Sequence, residues 1–124
     1  MSEAMKELLM YAIDTYGVPE FLLSKEKVIS HWDKCSCTGS AVIASNPTDL
    51  QMRSAIMGLG RILEEDTEKH IYITTVKCRS NEALAVLKRK DETVEIAACA
   101  QEGLIPQHIA QNAVALIEER FKKR

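Results

Sequence analysis

A chain of 124 residues has the length of one domain built on one hydrophobic core, here spanning residues 1–124. Hydrophobic residues make up 46% and charged residues 27%, the mix of an ordinary globular protein, which excludes a disordered chain and predicts a packed core. Sixteen Lys and Arg against eighteen Asp and Glu leave a formal net charge of -2, which excludes attachment to nucleic acid by bulk charge.

Residues 2–16 place Met5, Leu8, Leu9, Ala12, Ile13 and Tyr16 at steps of three and four, the stripe of an amphipathic helix. Ser2 can cap its first turn, Gly17 suits a left-handed end, and Pro19 prevents continuation. In residues 18–33, Phe21-Leu22-Leu23 and Val28-Ile29-Ser30-His31-Trp32 flank the polar turn Ser24-Lys25-Glu26-Lys27, which reads as two short strands in a hairpin. Ala41-Val42-Ile43-Ala44 fits either a further strand or the buried lead into the next helix. Asn46-Pro47 marks a helix start, since Asn caps free amides and Pro loses no hydrogen bond at the first helical position. Met52, Ala55, Ile56, Leu59, Ile62 and Leu63 then predict a second helix running to about Glu65. Gly58 and Gly60 fall inside it, each costing about 1 kcal/mol relative to Ala, so a close approach to that surface is expected.

The β-branched and aromatic run Ile71-Tyr72-Ile73-Thr74-Thr75-Val76 makes residues 70–79 a strand, followed by the turn signal Ser80-Asn81-Glu82. Residues 83–88 and 93–100 are two more apolar runs, joined through Lys88-Arg89-Lys90-Asp91-Glu92 as the exposed tip of an antiparallel hairpin. Pro106 opens a last helix with the stripe Ile109, Ala113, Leu116, Ile117 and Phe121, and Lys122, Lys123 and Arg124 suit its negative end. The expected fold class is α+β: an antiparallel five-stranded sheet with helices on both faces, in the order α-β-β-α-β-β-β-α. The simplest packing puts the second helix on one face and the two terminal helices on the other.

Two stretches resemble the roadblock branch of the profilin and longin group of small scaffolds. Tyr16-Gly17-Val18-Pro19-Glu20-Phe21-Leu22-Leu23 is similar to the Gly-Val lead into that family's first strand. Ile71-Tyr72-Ile73-Thr74-Thr75-Val76-Lys77-Cys78-Arg79 with Glu82-Ala83-Leu84-Ala85-Val86 is similar to its third and fourth strands. The resemblance implies a non-enzymatic homodimer, paired through its second helix and third strand, that serves small GTPases or motor complexes. On this sequence that interface falls on Gly58, Gly60, Tyr72, Thr74 and Val76. The residues are compatible with either of two close approaches at the glycines, by a partner helix or by the chain's own sheet. An open edge at residues 70–79 would also invite pairing. A second binding reading is a secretion-type chaperone, which needs residues 39–45 to pair fully in the sheet.

No Gly-rich phosphate loop, nucleophile elbow or His-Glu helical pair is present, so no catalytic residue, cofactor or resident metal is expected. His70 and His108 have no carboxylate or nucleophile partner evident in the sequence. His31, Cys35 and Cys37 make a thiol or metal site the alternative from another class, although Cys-Ser-Cys has the wrong spacing for structural zinc and no second pair. Lys77, Arg79, Lys88, Arg89 and Lys90 could gather at one sheet edge, as a surface for acidic partners or as charge that discourages aggregation. Apolar runs of only a few residues exclude a membrane span, six aromatics without a stacking platform disfavour nucleic acid, and Cys35, Cys37, Cys78 and Cys99 read as thiols of a cytoplasmic protein.

Overall fold

The computed structural model describes residues 1–18, 37–79, 81–100 and 108–122. Helix α1 (Glu3–Tyr16) begins where the Ser2 side chain accepts from the Met5 amide and ends at Gly17, whose φ of 76° needs no Cβ. Strand β1 (Thr38–Ala44) and helix α2 (Asp49–Ile56) follow. The capping residue of α2 is Thr48 rather than Asn46. Its hydroxyl accepts from the Gln51 amide while the Gln51 side chain accepts from the Thr48 amide, so a reciprocal pair outcompetes the single Asn cap.

Four consecutive strands come next: β2 (Ile62–Asp66), β3 (Ile71–Cys78), β4 (Asn81–Lys90) and β5 (Thr93–Cys99). Helix α3 (Ile109–Lys122) closes the described chain. The structure is α+β, with an antiparallel five-stranded sheet in the order β1-β5-β4-β3-β2 and three helices among the described residues. Three of the five expected strands are found, at β3, β4 and β5, and the other two strands of the described sheet, β1 and β2, are ones the expected order did not contain. The hairpin expected at residues 18–33 and the last-helix start at Pro106 fall almost wholly outside the described residues.

Residues 39–45, left open between two readings, supply most of a true strand: all seven residues of β1 pair with β5, from Thr38 opposite Cys99 to Ala44 opposite Thr93. The second helix is shorter than the periodicity predicts. It stops at Ile56, and the chain turns through Gly58, whose φ is 86°, before pairing with β3. Neither Gly58 nor Gly60 is helical, which spares the helix two costs of about 1 kcal/mol each. Ile62 packs with the cluster under α2 and α3, whereas Leu63 packs with the cluster under α1. Neighbours pointing to opposite faces have a period of two, which is a strand.

The layers also differ from expectation. Met5, Leu9, Ala12 and Ile13 of α1 lie over Ile73, Leu84, Val86, Ala97 and Cys99 on one face. On the other, α2 (Met52, Ala55, Ile56) and α3 (Ile109, Ala113, Ile117, Phe121) share Tyr72, Val76, Leu87 and Ile96. The terminal helices are therefore on opposite faces. The small stripe of α3, with Ala110 and Ala113 fully buried, lets it lie close to the sheet beside α2. No helix among the described residues is long and apolar enough to cross a membrane.

Candidate functional site

Three features gather polar or exposed apolar groups around α2. The first is a cluster at its N-terminus. Asp49 is its first residue, Tyr72 lies on β3, His70 ends the β2–β3 turn with a φ of 57°, and Arg89 stands beside His70 across the β3–β4 ladder, its amide donating to the His70 carbonyl at 3.0 Å. The Tyr72 hydroxyl donates to Asp49 Oδ1 at 2.7 Å, and His70 Nδ1 is 3.0 Å from the same oxygen. Arg89 Nη2 lies 2.9 Å from the imidazole, and its Nη1 donates to the Pro47 carbonyl. A guanidinium only donates, so a ring that donates from Nδ1 to Asp49 can accept from Arg89 only at Nε2, although Nη2 lies 2.9 Å from both ring nitrogens.

An Asp–His pair orients a general base in many hydrolases. Here Arg89 Nη2 lies 2.9 Å from both ring nitrogens, and no Ser, Thr or Cys side chain bonds to His70 among the described residues. These contacts join the start of α2 to β3, to β4 and to the β2–β3 turn. Hydrogen bonds from Tyr72 and then His70 hold the Asp49 carboxyl below its ordinary range, while burial and the Asp49 bond push the Tyr72 phenol up. A carboxyl depressed in the fold stabilises it above the unfolded value of about 3.9, and that contribution is lost as pH falls through the folded value. Urea titrations of the wild type are therefore expected to weaken as pH drops below about 5, and Asp49→Asn to flatten that part of the profile. Superimposable profiles for the two proteins would show that Asp49 is not held this way.

The second feature ties α1 to the edge strand. Tyr11 and Tyr16 both donate to Glu64 Oε1 on β2, at 2.7 and 2.5 Å. The bond to this carboxylate, with burial and the carboxylate charge, raises the Tyr16 phenol to about 12. Arg53 of α2 pairs with Glu65 at 3.1 Å, which seats α2 over the same strand. Three of the five β2 residues are acidic, the strand carries a register shift, and it is short, the usual protections of an edge against unwanted pairing.

The third feature is the outer face of α2. Its inner face, Met52, Ala55 and Ile56, is buried, yet Leu50 is 73% and Met57 49% exposed. The two are seven residues apart and so lie on one side, with the exposed Ser54 between them. The helix with its cap is apolar on two opposite faces. The Met57 carbonyl accepts from Arg120 of α3 at 2.5 Å, fixing this end of the segment.

The residues assigned from the sequence to a dimer interface are placed otherwise. Tyr72, Thr74 and Val76 are buried on the face that α2 and α3 cover, and β3 is an interior strand between β2 and β4, not an edge. Gly58 sits in the turn after α2. Gly60 lies against β3, where a Cβ would fall 2.1 Å from the Thr75 carbonyl oxygen, so the close approach it permits is to the chain's own sheet. The basic residues do not share an edge. Lys77 and Arg79 are at the β3–β4 turn, whereas Lys88, Arg89 and Lys90 are at the far end of the ladder.

His31 and Cys35 lie outside the described residues. Cys37 and Cys99 are both buried, and burial, with Cys37 nearby, pushes the Cys99 thiol up. Among the described residues no three His, Cys, Asp or Glu side chains form a group able to hold a metal. Two constituents of the site escaped sequence reasoning. Asp49 and His70 are 21 residues apart with no motif to connect them. Leu50 and Met57 were passed over, although apolar residues off the main stripe of the second helix were the signal that could have found them. No family model, curated protein or solved structure matches this chain.

Proposed function

We propose that the protein is a non-enzymatic scaffold that forms a homodimer through the outer face of α2 and presents the pair to a partner protein. The observation that carries this reading is the exposure of Leu50 and Met57 opposite an already buried face, because a helix apolar on both sides needs a second surface to cover it. Ser54 between them is small enough to let a second copy of α2 approach. A twofold arrangement would lay each Leu50 near the partner's Met57, an isologous contact. The resemblance to the roadblock branch supports the same element, and small GTPases or motor complexes are the partner classes it suggests.

The strand half of the expected interface is not part of this proposal. Tyr72, Thr74 and Val76 face inward, and antiparallel pairing of two β2 edges would bring Glu64, Glu65 and Asp66 against one another. Sedimentation equilibrium tests the reading. The wild-type chain is expected to be dimeric at micromolar concentration, and the double variant Leu50→Glu/Met57→Glu monomeric with an unchanged circular dichroism spectrum. A wild-type monomer, or a dimer that survives both substitutions, would refute it.

The secretion-type chaperone is supported by a different observation, the complete pairing of Thr38–Ala44 with β5. It too is a small dimeric binder, and it predicts capture of an unfolded polypeptide rather than of a folded partner. Suppression of aggregation of a chemically denatured protein distinguishes the two, since a scaffold for folded partners leaves that aggregation unchanged.

A further inference from the structure

A cleft of about 930 Å³ opens between the end of the β3–β4 ladder and α3. A second of about 520 Å³ adjoins it beside the turn after α2, and Lys77 and Leu116 line both, so the two form one trough. Its cations are Arg61, Lys77 and Arg79. All three are exposed, and among the described residues none of their charged groups has an ion-pair or hydrogen-bond partner. Glu82 and Glu119 line the trough as well, so its described lining carries a net excess of one positive charge on a chain whose net charge is -2.

A local excess opposite in sign to the whole molecule attracts and orients an oppositely charged ligand. The half-buried Leu116, which lines both clefts, gives the trough an apolar contact. Among the described residues no lining side chain is aromatic, so they offer no stacking platform of the kind single-stranded nucleic acid uses.

From this we infer that the trough docks an acidic linear segment of a partner protein, its carboxylates paired with Arg61, Lys77 and Arg79 and an apolar side chain seated on Leu116. The inference does not depend on the α2 dimer, because a monomer carries the same trough. Cys78 lies in its lining and reports occupancy independently.

Fluorescence anisotropy with a labelled peptide of alternating Glu and Leu, titrated with the full chain, tests this. The Glu peptide is expected to bind with an affinity that falls as salt rises, and the same peptide with Gln in place of Glu to bind at least about tenfold more weakly. Lys77→Glu/Arg79→Glu, and the milder Lys77→Gln/Arg79→Gln, should each lose about tenfold or more, whereas Lys90→Glu at the far end of the sheet should not. Bound peptide should slow alkylation of Cys78, read by mass mapping. No binding, equal binding of the Gln peptide, or indifference to both double variants would overturn the assignment. So would binding of oligothymidylate or phosphatidylserine vesicles, but not the peptide, through the same cations.

Discussion

Gly60→Ala is expected to destabilise the chain by about 3 kcal/mol or more, a large fraction of the roughly 5–15 kcal/mol that holds an ordinary domain folded. The cause is backbone, not side chain. Between α2 and β2 the chain runs alongside β3: the Lys77 amide donates to the Leu59 carbonyl at 2.8 Å and the Thr75 amide to the Arg61 carbonyl at 2.9 Å. The Thr75 hydroxyl in turn accepts from the Arg61 amide at 2.8 Å. Held from both sides, Gly60 has no space for a methyl group, which would meet the Thr75 carbonyl carbon and hydroxyl at 2.6 Å as well as its oxygen. Gly58 provides the contrast. Its φ of 86° makes alanine strained, but the nearest atom to a Cβ there is Arg120 Nη2 at 4.0 Å, so Gly58→Ala should cost only about 1–2 kcal/mol. Equal losses for the two variants in urea denaturation would mean that Gly60 does not lie against β3.

Ile56→Ala should cost about 2–5 kcal/mol, the range for removing a fully buried branched side chain without collapse of the site. Ile56 is the last residue of α2 and sits in the core that α2 and α3 share with Tyr72, Val76 and Leu87. A void there is bordered by β3 below and α3 beside it, both fixed by the rest of the sheet, so little relaxation is available. Thermal and urea unfolding should shift together. A loss below about 1 kcal/mol would indicate that α2 is not seated on the core.

These two residues also mark where the sequence was and was not informative. The α1 and α3 stripes were legible because every third or fourth residue answered to one buried face. The strands at residues 71–78, 81–90 and 93–99 were legible through β-branched runs and charged turns. The region from Met52 to Leu63 misled because the apolar residues of a short helix and of the strand after it happen to continue one 3.6-residue rhythm. Only the glycines broke it, and they were taken as a packing feature within a helix instead of the end of one. A rhythm of that kind contains no information about which face a residue meets once the chain has turned.

The site was less legible than the fold. His70 was read as partnerless because Asp49, Tyr72 and Arg89 are brought to it only by the β3–β4 register and the seating of α2. The proposed interface strand fell on β3 because its sequence has strong strand character, yet such character is what an interior strand shows. The actual edge, β2, is acidic and short, and it was hidden inside the overlong helix. Leu50 and Met57 needed only the corrected helix to become conspicuous, since with α2 confined to eight residues they have no inward side to turn to.

Photo-methionine incorporated in place of methionine offers the most direct view of the α2 contact, because Met57 is half exposed there, Met5 and Met52 are fully buried, Met10 packs in the cluster under α1, and the exposed Met1 precedes α1. Irradiation of the wild-type protein at micromolar concentration should yield a covalent dimer whose cross-link maps from Met57 to residues of α2 in the second copy, and Met57→Leu should remove it. Irradiation that leaves only monomer, or a cross-linked dimer joined elsewhere and unchanged by Met57→Leu, would contradict the account.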